Sequence, residues 1–233
     1  MALRELFRWL QGPARCYLCW GRAAGLLCET CREQLPGPRS ACLHCGSRLP
    51  RTVSACGACL NRRLPYELLW SPMDYRFPVD RLIQALKFKG DLVAGRVLAT
   101  LLLPGPEYGC LPRPQAILPM PLHPRRQRAR GFNQCSEIAR HLAKELALPV
   151  LEGHLQRWRN DPPQSSLDAL QRRRNVRGAY RLRSRVTTLP PSVLLLDDVI
   201  TTGSTVHAAA TVLKQGGVKR VEVWAVARAR GAL

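Results

Sequence analysis

Val193-Leu194-Leu195-Leu196-Asp197-Asp198-Val199-Ile200-Thr201-Thr202-Gly203-Ser204-Thr205 is the stretch from which the architecture can be read. Its run of Val and Leu is that of a strand buried on both faces, halted by two adjacent carboxylates and a Thr/Gly/Ser turn. Val206, Ala209, Ala210 and Leu213 then recur at helical spacing until Gly216-Gly217. Ser204 or Thr205 is suited to cap that helix. Strand, acidic pair, small-residue loop and helix, in that order, predict an α/β fold with a parallel sheet.

Ligands of open parallel sheets collect beyond the carboxyl ends of the strands, where a helix start offers unpaired N–H groups and a positive dipole end. The loop suits a phosphate. It lacks the Gly-Lys-Ser/Thr ending of a Walker loop and the G-x-G-x-x-G of dinucleotide folds. Carboxylates beside such a cradle would repel the phosphate itself, so they must meet ribose hydroxyls or a cation such as Mg²⁺. A phosphorylated sugar fits the combination.

Residues 195–205 closely resemble the 5-phosphoribosyl-1-pyrophosphate (PRPP) motif of type I phosphoribosyltransferases: apolar residues, two acids, an apolar pair, then Thr-Thr-Gly-small-Thr. The resemblance implies that Asp197 and Asp198 are the catalytic pair and hold the ribose 2′ and 3′ hydroxyls. It places Val199 and Ile200 in the same binding segment and sets Thr201, Thr202, Gly203, Ser204 and Thr205 around the 5′-phosphate, with Mg²⁺ accompanying PRPP.

At 233 residues the chain has room for one medium α/β domain and a small appendage. Lys and Arg number 36 against 16 acids, a formal charge of +20 that makes polyanions plausible partners. Leu3, Leu6, Phe7 and Leu10 share a helical face interrupted by Arg4, Glu5 and Arg8, which predicts a short amphipathic helix over residues 1–10 and not a signal peptide. No run approaches the length of a membrane span, so a cytoplasmic protein without membrane insertion is expected. In a reducing compartment, ten cysteines favour metal over disulfides.

Eight of them form four C-x-x-C pairs: Cys16/Cys19, Cys28/Cys31, Cys42/Cys45 and Cys56/Cys59. Two intervening residues let both thiolates reach one ion from a tight turn, and two such turns complete a closed, structural Cys₄ zinc site. With two zinc ions bound, the net charge falls to about +16. Sequence order assigns the first two pairs to one ion and the last two to another, as in a double zinc ribbon, although spacing leaves a crossed pairing open. Cys110 and Cys135 read as ordinary small core or surface residues. Residues 1–63 are accordingly an N-terminal helix and double zinc ribbon, and residues 64–233 the phosphoribosyltransferase-like domain.

Within that domain, residues 68–75 read as a first strand, Pro78 starts a helix through Leu86, and a second helix covers residues 92–103. Lys87-Phe88-Lys89-Gly90-Asp91 closes the first helix, where the dipole alone would favour lysines. Residues 116–121 read as the next strand. It runs into His123-Pro124-Arg125-Arg126-Gln127-Arg128-Ala129-Arg130-Gly131-Phe132-Asn133-Gln134, and Asn133 can cap the helix that follows. Residues 151–158 read as another strand, and residues 180–182 and 220–228 are expected to complete the sheet.

Arg-x-Arg-Gly-Phe-Asn-Gln, together with the cysteine-rich start, resembles the ComF/GntX group of phosphoribosyltransferase-like proteins over nearly the whole chain. That resemblance implies the type I phosphoribosyltransferase fold, a mostly parallel sheet flanked by helices behind a zinc-ribbon domain. It makes Arg128, Arg130, Asn133 and Gln134 ligand contacts and Lys87 and Lys89 pyrophosphate contacts. Gln164, Arg174 and Asn175 match its flexible loop, of the kind that closes over PRPP. The group's link to natural competence implies single-stranded DNA and DNA-uptake or recombination proteins as partners.

Overall fold

The computed structural model describes residues 15–37, 40–103, 105, 113–159, 178–184 and 188–229. The expected helix of residues 1–10, Cys110, and the segment carrying Gln164, Arg174 and Asn175 lie outside them. Among the described residues thirteen elements follow one another: α1 (Glu29–Glu33), β1 (Leu68–Trp70), β2 (Met73–Asp74), α2 (Val79–Lys89), α3 (Leu92–Leu101), β3 (Ile117–Pro119), α4 (Pro124–Arg130), α5 (Gln134–Leu146), β4 (Leu155–Arg157), β5 (Tyr180–Leu182), β6 (Ser192–Ile200), α6 (Ser204–Gln215) and β7 (Arg220–Arg228). Among the described residues, no helix is long and apolar enough to cross a membrane.

The main sheet runs β1-β7-β6-β3, with β2 also on β7, and all its pairings are parallel. β6 sits inside it because Val193, Leu194, Leu195 and Leu196 have apolar partners on both faces. Leu194 and Leu196 pack with Ile83 and Leu86 of α2, Leu98 of α3 and Ile138 and Leu142 of α5. Val193 and Leu195 face the opposite way, onto Val206, Ala209, Ala210 and Leu213 of α6. The result is helix, sheet, helix in three layers.

Three expectations need correction. β6 does not stop at the acidic pair but continues to Ile200, because β7 still pairs with it at Asp197↔Ala225 and Val199↔Ala227. Neither Ser204 nor Thr205 caps α6: its N-cap is Gly203, whose φ of 77° makes the turn, and no side chain caps it. The arginine run, which the sequence left without an assigned element, is itself helical over Pro124–Arg130, with Pro at its start and Gly131 (φ 87°) after its end. Residues 155–157 and 180–182 do not join the main sheet but pair with each other as an antiparallel ladder. Leu155 and Tyr180 fold their apolar faces onto the α6 layer instead. Leu182 fits there against Gly216, where a Cβ would lie 2.2 Å from Leu182 Cδ1.

The cysteine-rich segment is fastened to this frame by backbone. Leu69 N–H donates to Leu43 O (2.7 Å) and Asp74 N–H to Pro36 O (2.6 Å), so it covers the outer side of β1 and β2. Gly46, at φ 68°, lies so close to Leu69 that a Cβ would meet Leu69 Cδ2 at 2.6 Å. Tyr17 OH adds a hydrogen bond of 2.5 Å to Asp91 Oδ2 at the start of α3.

Candidate functional site

β3 ends opposite Leu196, so Asp197 and Asp198 project beyond it while remaining paired with β7 on their other side. From β3 the chain passes to α5 on one face of the sheet; from β6 it passes to α6 on the other. A crevice between strands whose helices diverge in this way is where open α/β sheets take their ligands.

Lys87, in the last turn of α2, forms an ion pair with Asp198 Oδ2, both side chains being largely buried. Asp197 Oδ1 accepts the Asp198 N–H at 2.9 Å and lies 3.6 Å from Cys135 Sγ. Burial, then the neighbouring Asp198 charge, pushes Asp197 up to about 7. For Lys87, burial by itself pulls downward, but Asp198 outweighs it and holds the ammonium above the ordinary lysine range. Burial, followed by the two carboxylates, raises Cys135 well above a normal thiol, so it stays protonated.

Cys135 is the residue that sequence reasoning missed. Its one visible signal was its position directly after Asn133-Gln134, at the opening of a helix that starts from the same sheet edge. Tyr66 was missed as well: it is buried beneath the loop, its OH 4.0 Å from where a Gly203 Cβ would be.

After Ile200 the loop opens to solvent, with Thr201 and Thr202 exposed. Thr202 Oγ1 lies 2.8 Å from Ser204 Oγ, so two hydroxyls converge at the N-terminus of α6. Thr205 follows in the first turn, half-buried.

The remaining expected contacts divide. Asn133 is committed to the fold: Oδ1 caps α5 by accepting Cys135 N–H (3.0 Å), and Nδ2 donates to Met120 O (2.9 Å) beyond β3. Gln134 is buried and its Oε1 accepts from Arg130. Arg130 also lies over the Phe88 ring at 5.7 Å, bringing the Lys-Phe-Lys segment beside the Arg-Gly-Phe-Asn-Gln segment. Arg128 and Lys89 are exposed.

Each group of four cysteines is assembled, in the order expected. Cys16, Cys19, Cys28 and Cys31 bring their sulfurs within 4.8 Å of one another, as do Cys42, Cys45, Cys56 and Cys59. Cys19 Sγ to Cys28 Sγ is 3.7 Å and Cys45 Sγ to Cys56 Sγ is 3.9 Å. Tetrahedral zinc with bonds of about 2.3 Å requires sulfurs about 3.8 Å apart, so both clusters can hold a structural zinc. Burial opposes the Cys16 thiolate, but backbone N–H groups of Cys19, Cys28 and Leu18 prevail and bring it down to about 6. Its neighbour Cys31 is driven up to about 12, first by its hydrogen bond with Cys28 and then by burial. Such crowded thiols share protons until a cation replaces them.

At the acidic pair the donors do not fit a bare Mg²⁺. That ion asks for near-octahedral oxygen ligands and retains waters. Here one carboxylate is paired with an ammonium, and the other abuts a neutral thiol.

Beside the first cluster, a groove of about 650 Å³ is lined by Leu18, Phe77, Arg81, Phe88 and Lys89 among others. Phe77 and Phe88 are 75% and 76% exposed, unusual values for rings that size.

No protein-family model matches the chain. Competence protein F of Haemophilus influenzae is 34% identical to it over 223 residues, 92% of this chain and 97% of that protein. DNA utilization protein YhgH of Escherichia coli (strain K12) is 33% identical over 230 residues, 93% and 97% of the two chains. Competence protein ComFC of Streptococcus pneumoniae is 30% identical over 142 residues, 61% of this chain and 60% of that one.

Proposed function

The chain belongs to the ComF family of competence and DNA utilisation proteins, and from that premise we propose that it binds PRPP and transfers its phosphoribosyl group, in the service of DNA uptake or the use of external DNA. One observation carries the reading: adjacent carboxylates lie at the crevice edge of a central parallel strand, and an exposed Thr-Thr-Gly-Ser turn leads from them into a helix. Asp197 and Asp198 would orient the ribose hydroxyls, and the Thr202 and Ser204 hydroxyls with the first N–H groups of α6 would hold the 5′-phosphate.

In the reaction, the bond from ribose C1 to the pyrophosphate oxygen breaks and the oxygen keeps the electron pair. A nitrogen nucleophile then bonds to C1. The developing positive charge at C1 lies near the carboxylates, and the exposed Arg128 and Lys89, with Arg130, are available to neutralise the leaving group. Calorimetric titration with PRPP, coupled to a pyrophosphate-release assay across a panel of bases, nucleotides and amines, tests the proposal. Saturable PRPP binding with release in the presence of one acceptor is expected; absence of any PRPP binding removes it.

A second reading, a non-catalytic PRPP-responsive protein that grips single-stranded DNA, is favoured by the groove beside α2. Exposed phenylalanines interleaved with Arg81 and Lys89 resemble a stacking platform with phosphate counter-charges. Stacking is worth roughly 1–3 kcal/mol per base, so Phe77→Ala combined with Phe88→Ala is expected to weaken binding of a labelled oligothymidine by tenfold or more. Fluorescence anisotropy at two salt concentrations reads this. Unchanged affinity in the double variant counts against the groove.

A further inference from the structure

If the crevice takes a phosphorylated sugar as proposed above, its acidic pair has to be neutralised by something. The geometry points to Lys87: we infer that its ammonium occupies at Asp197 and Asp198 the place of a divalent cation, so that sugar-phosphate binding by this chain is independent of divalent metal. The inference rests on the PRPP reading for its ligand, but the lysine's role can be tested without one.

Three observations converge. First, Lys87 is rigidly delivered. Val79, Leu82, Ile83 and Leu86 bury the inner face of α2, so the turn carrying Lys87 is anchored in the core that Leu194 and Leu196 of β6 share. Its side chain is 21% exposed and that of Asp198 is 7%. Second, the position suits a cation from both sides. Lys87 lies in the last turn of α2, where the negative pole of the helix favours a cation, as the carboxylates do.

Third, one positive charge is what the pair can balance. Lys87 already pairs with Asp198, and burial together with that neighbouring charge raises Asp197 to about 7, so little uncompensated charge is left near neutrality to draw in a second cation. The remaining neighbour is Cys135, whose protonated thiol is a poor ligand for a hard cation. An ammonium also does what a ribose-binding site requires of the cation, since it donates hydrogen bonds as well as charge.

Two measurements on the zinc-loaded full-length protein decide the matter. The first needs no sugar: Mn²⁺ is titrated and followed by electron paramagnetic resonance. The native chain is expected to show no Mn²⁺ site of sub-millimolar affinity, and Lys87→Met to gain one that is lost again in Lys87→Met/Asp198→Asn. The second compares PRPP affinity in EDTA and in excess Mg²⁺.

For the native chain the two affinities should differ less than threefold. Lys87→Met should lose at least tenfold in EDTA and recover most of it with Mg²⁺, while Lys87→Arg should stay insensitive to the metal. A native Mn²⁺ site at the pair, or native PRPP binding that collapses in EDTA, overturns the inference while leaving the PRPP reading intact. Failure of PRPP to bind under either condition overturns that reading, and the Mn²⁺ titration then still judges Lys87. Circular dichroism and zinc content of each variant confirm that the fold persists.

Discussion

Replacing Cys45 by Ser is expected to empty the second cysteine cluster and unmake the segment it holds together. Cys45 is buried with Cys42 and Cys59, and among the described residues only Leu49, Val53, Ala55 and Cys56 pack around them. So small an apolar set cannot offset the entropy of ordering the loops between Ser40 and Leu60. Structural zinc contributes on the order of 10 kcal/mol in comparable small modules, and a three-sulfur site forfeits a large part of it.

Zinc content should therefore fall from two ions per chain to one. The effect should reach the sheet, because Leu69 N–H donates to Leu43 O in this segment and its amide exchange should accelerate by orders of magnitude. Cys135→Ser serves as the comparison and should keep both ions, being remote from either cluster. A Cys45→Ser chain that retains two zinc ions would sink the assignment of this cluster.

The second large effect concerns the acidic pair, where binding and stability should part company. Asp197→Asn and Asp198→Asn are both expected to weaken PRPP binding at least tenfold. A charged hydrogen bond to each ribose hydroxyl is worth roughly 1.5–3 kcal/mol, which corresponds to about 10- to 150-fold. Their effects on the fold should be opposite.

Asp198→Asn leaves the Lys87 ammonium without its counter-ion in a largely buried position, and the melting temperature should fall. Asp197→Asn removes a carboxylate whose pKa is raised in the folded state to about 7. A carboxyl group raised in this way favours the fold below its unfolded pKa, and that contribution disappears as pH rises through the folded value. Asp197→Asn should thus match the native chain below about pH 4 and exceed its stability above pH 7, by on the order of 4 kcal/mol. Asn also preserves the acceptor for the Asp198 N–H. Thermal unfolding at pH 5 and pH 8, set beside calorimetry with PRPP, reads both quantities. Equal PRPP affinity in the two variants and the native chain would refute the site.

A residue that binds ligand at a cost to the fold is what a functional position looks like in energetic terms. Lys87 and Asp198 illustrate the converse, a pair whose removal harms both. Measured, that contrast would separate Asp197 from a carboxylate that merely happens to lie at a strand end.

Much of this protein could be read from local order. The C-x-x-C turns, the strand leading to Asp197-Asp198, the Thr-Thr-Gly-Ser loop, the α6 face and the Asn133 cap each depend on residues a few positions apart. Backbone geometry over that range follows from residue type alone: which side chains share a helical face, where a φ above zero demands Gly, which turn lets two sulfurs meet. The cysteine pairing also followed chain order, since nearby turns close with the least loss of entropy.

What the tertiary structure decided is how distant parts meet. Lys87 read as a pyrophosphate contact, and only the assembled core shows that α2 also brings it to Asp198. Asn133 and Gln134 read as ligand contacts, and only the fold shows that one ties α5 to β3 and the other meets Arg130. Cys135 read as an ordinary small core or surface residue, and it is a core residue whose place beside Asp197 only the fold reveals; Tyr180–Leu182 read as another strand of the main sheet. These outcomes arise from packing a whole layer of helices against a sheet, in which the burial of Leu86, Ile138 and Leu213 fixes positions for neighbours that have no say in it. Alternation and spacing describe which face a residue occupies; only the assembled layers determine what stands opposite.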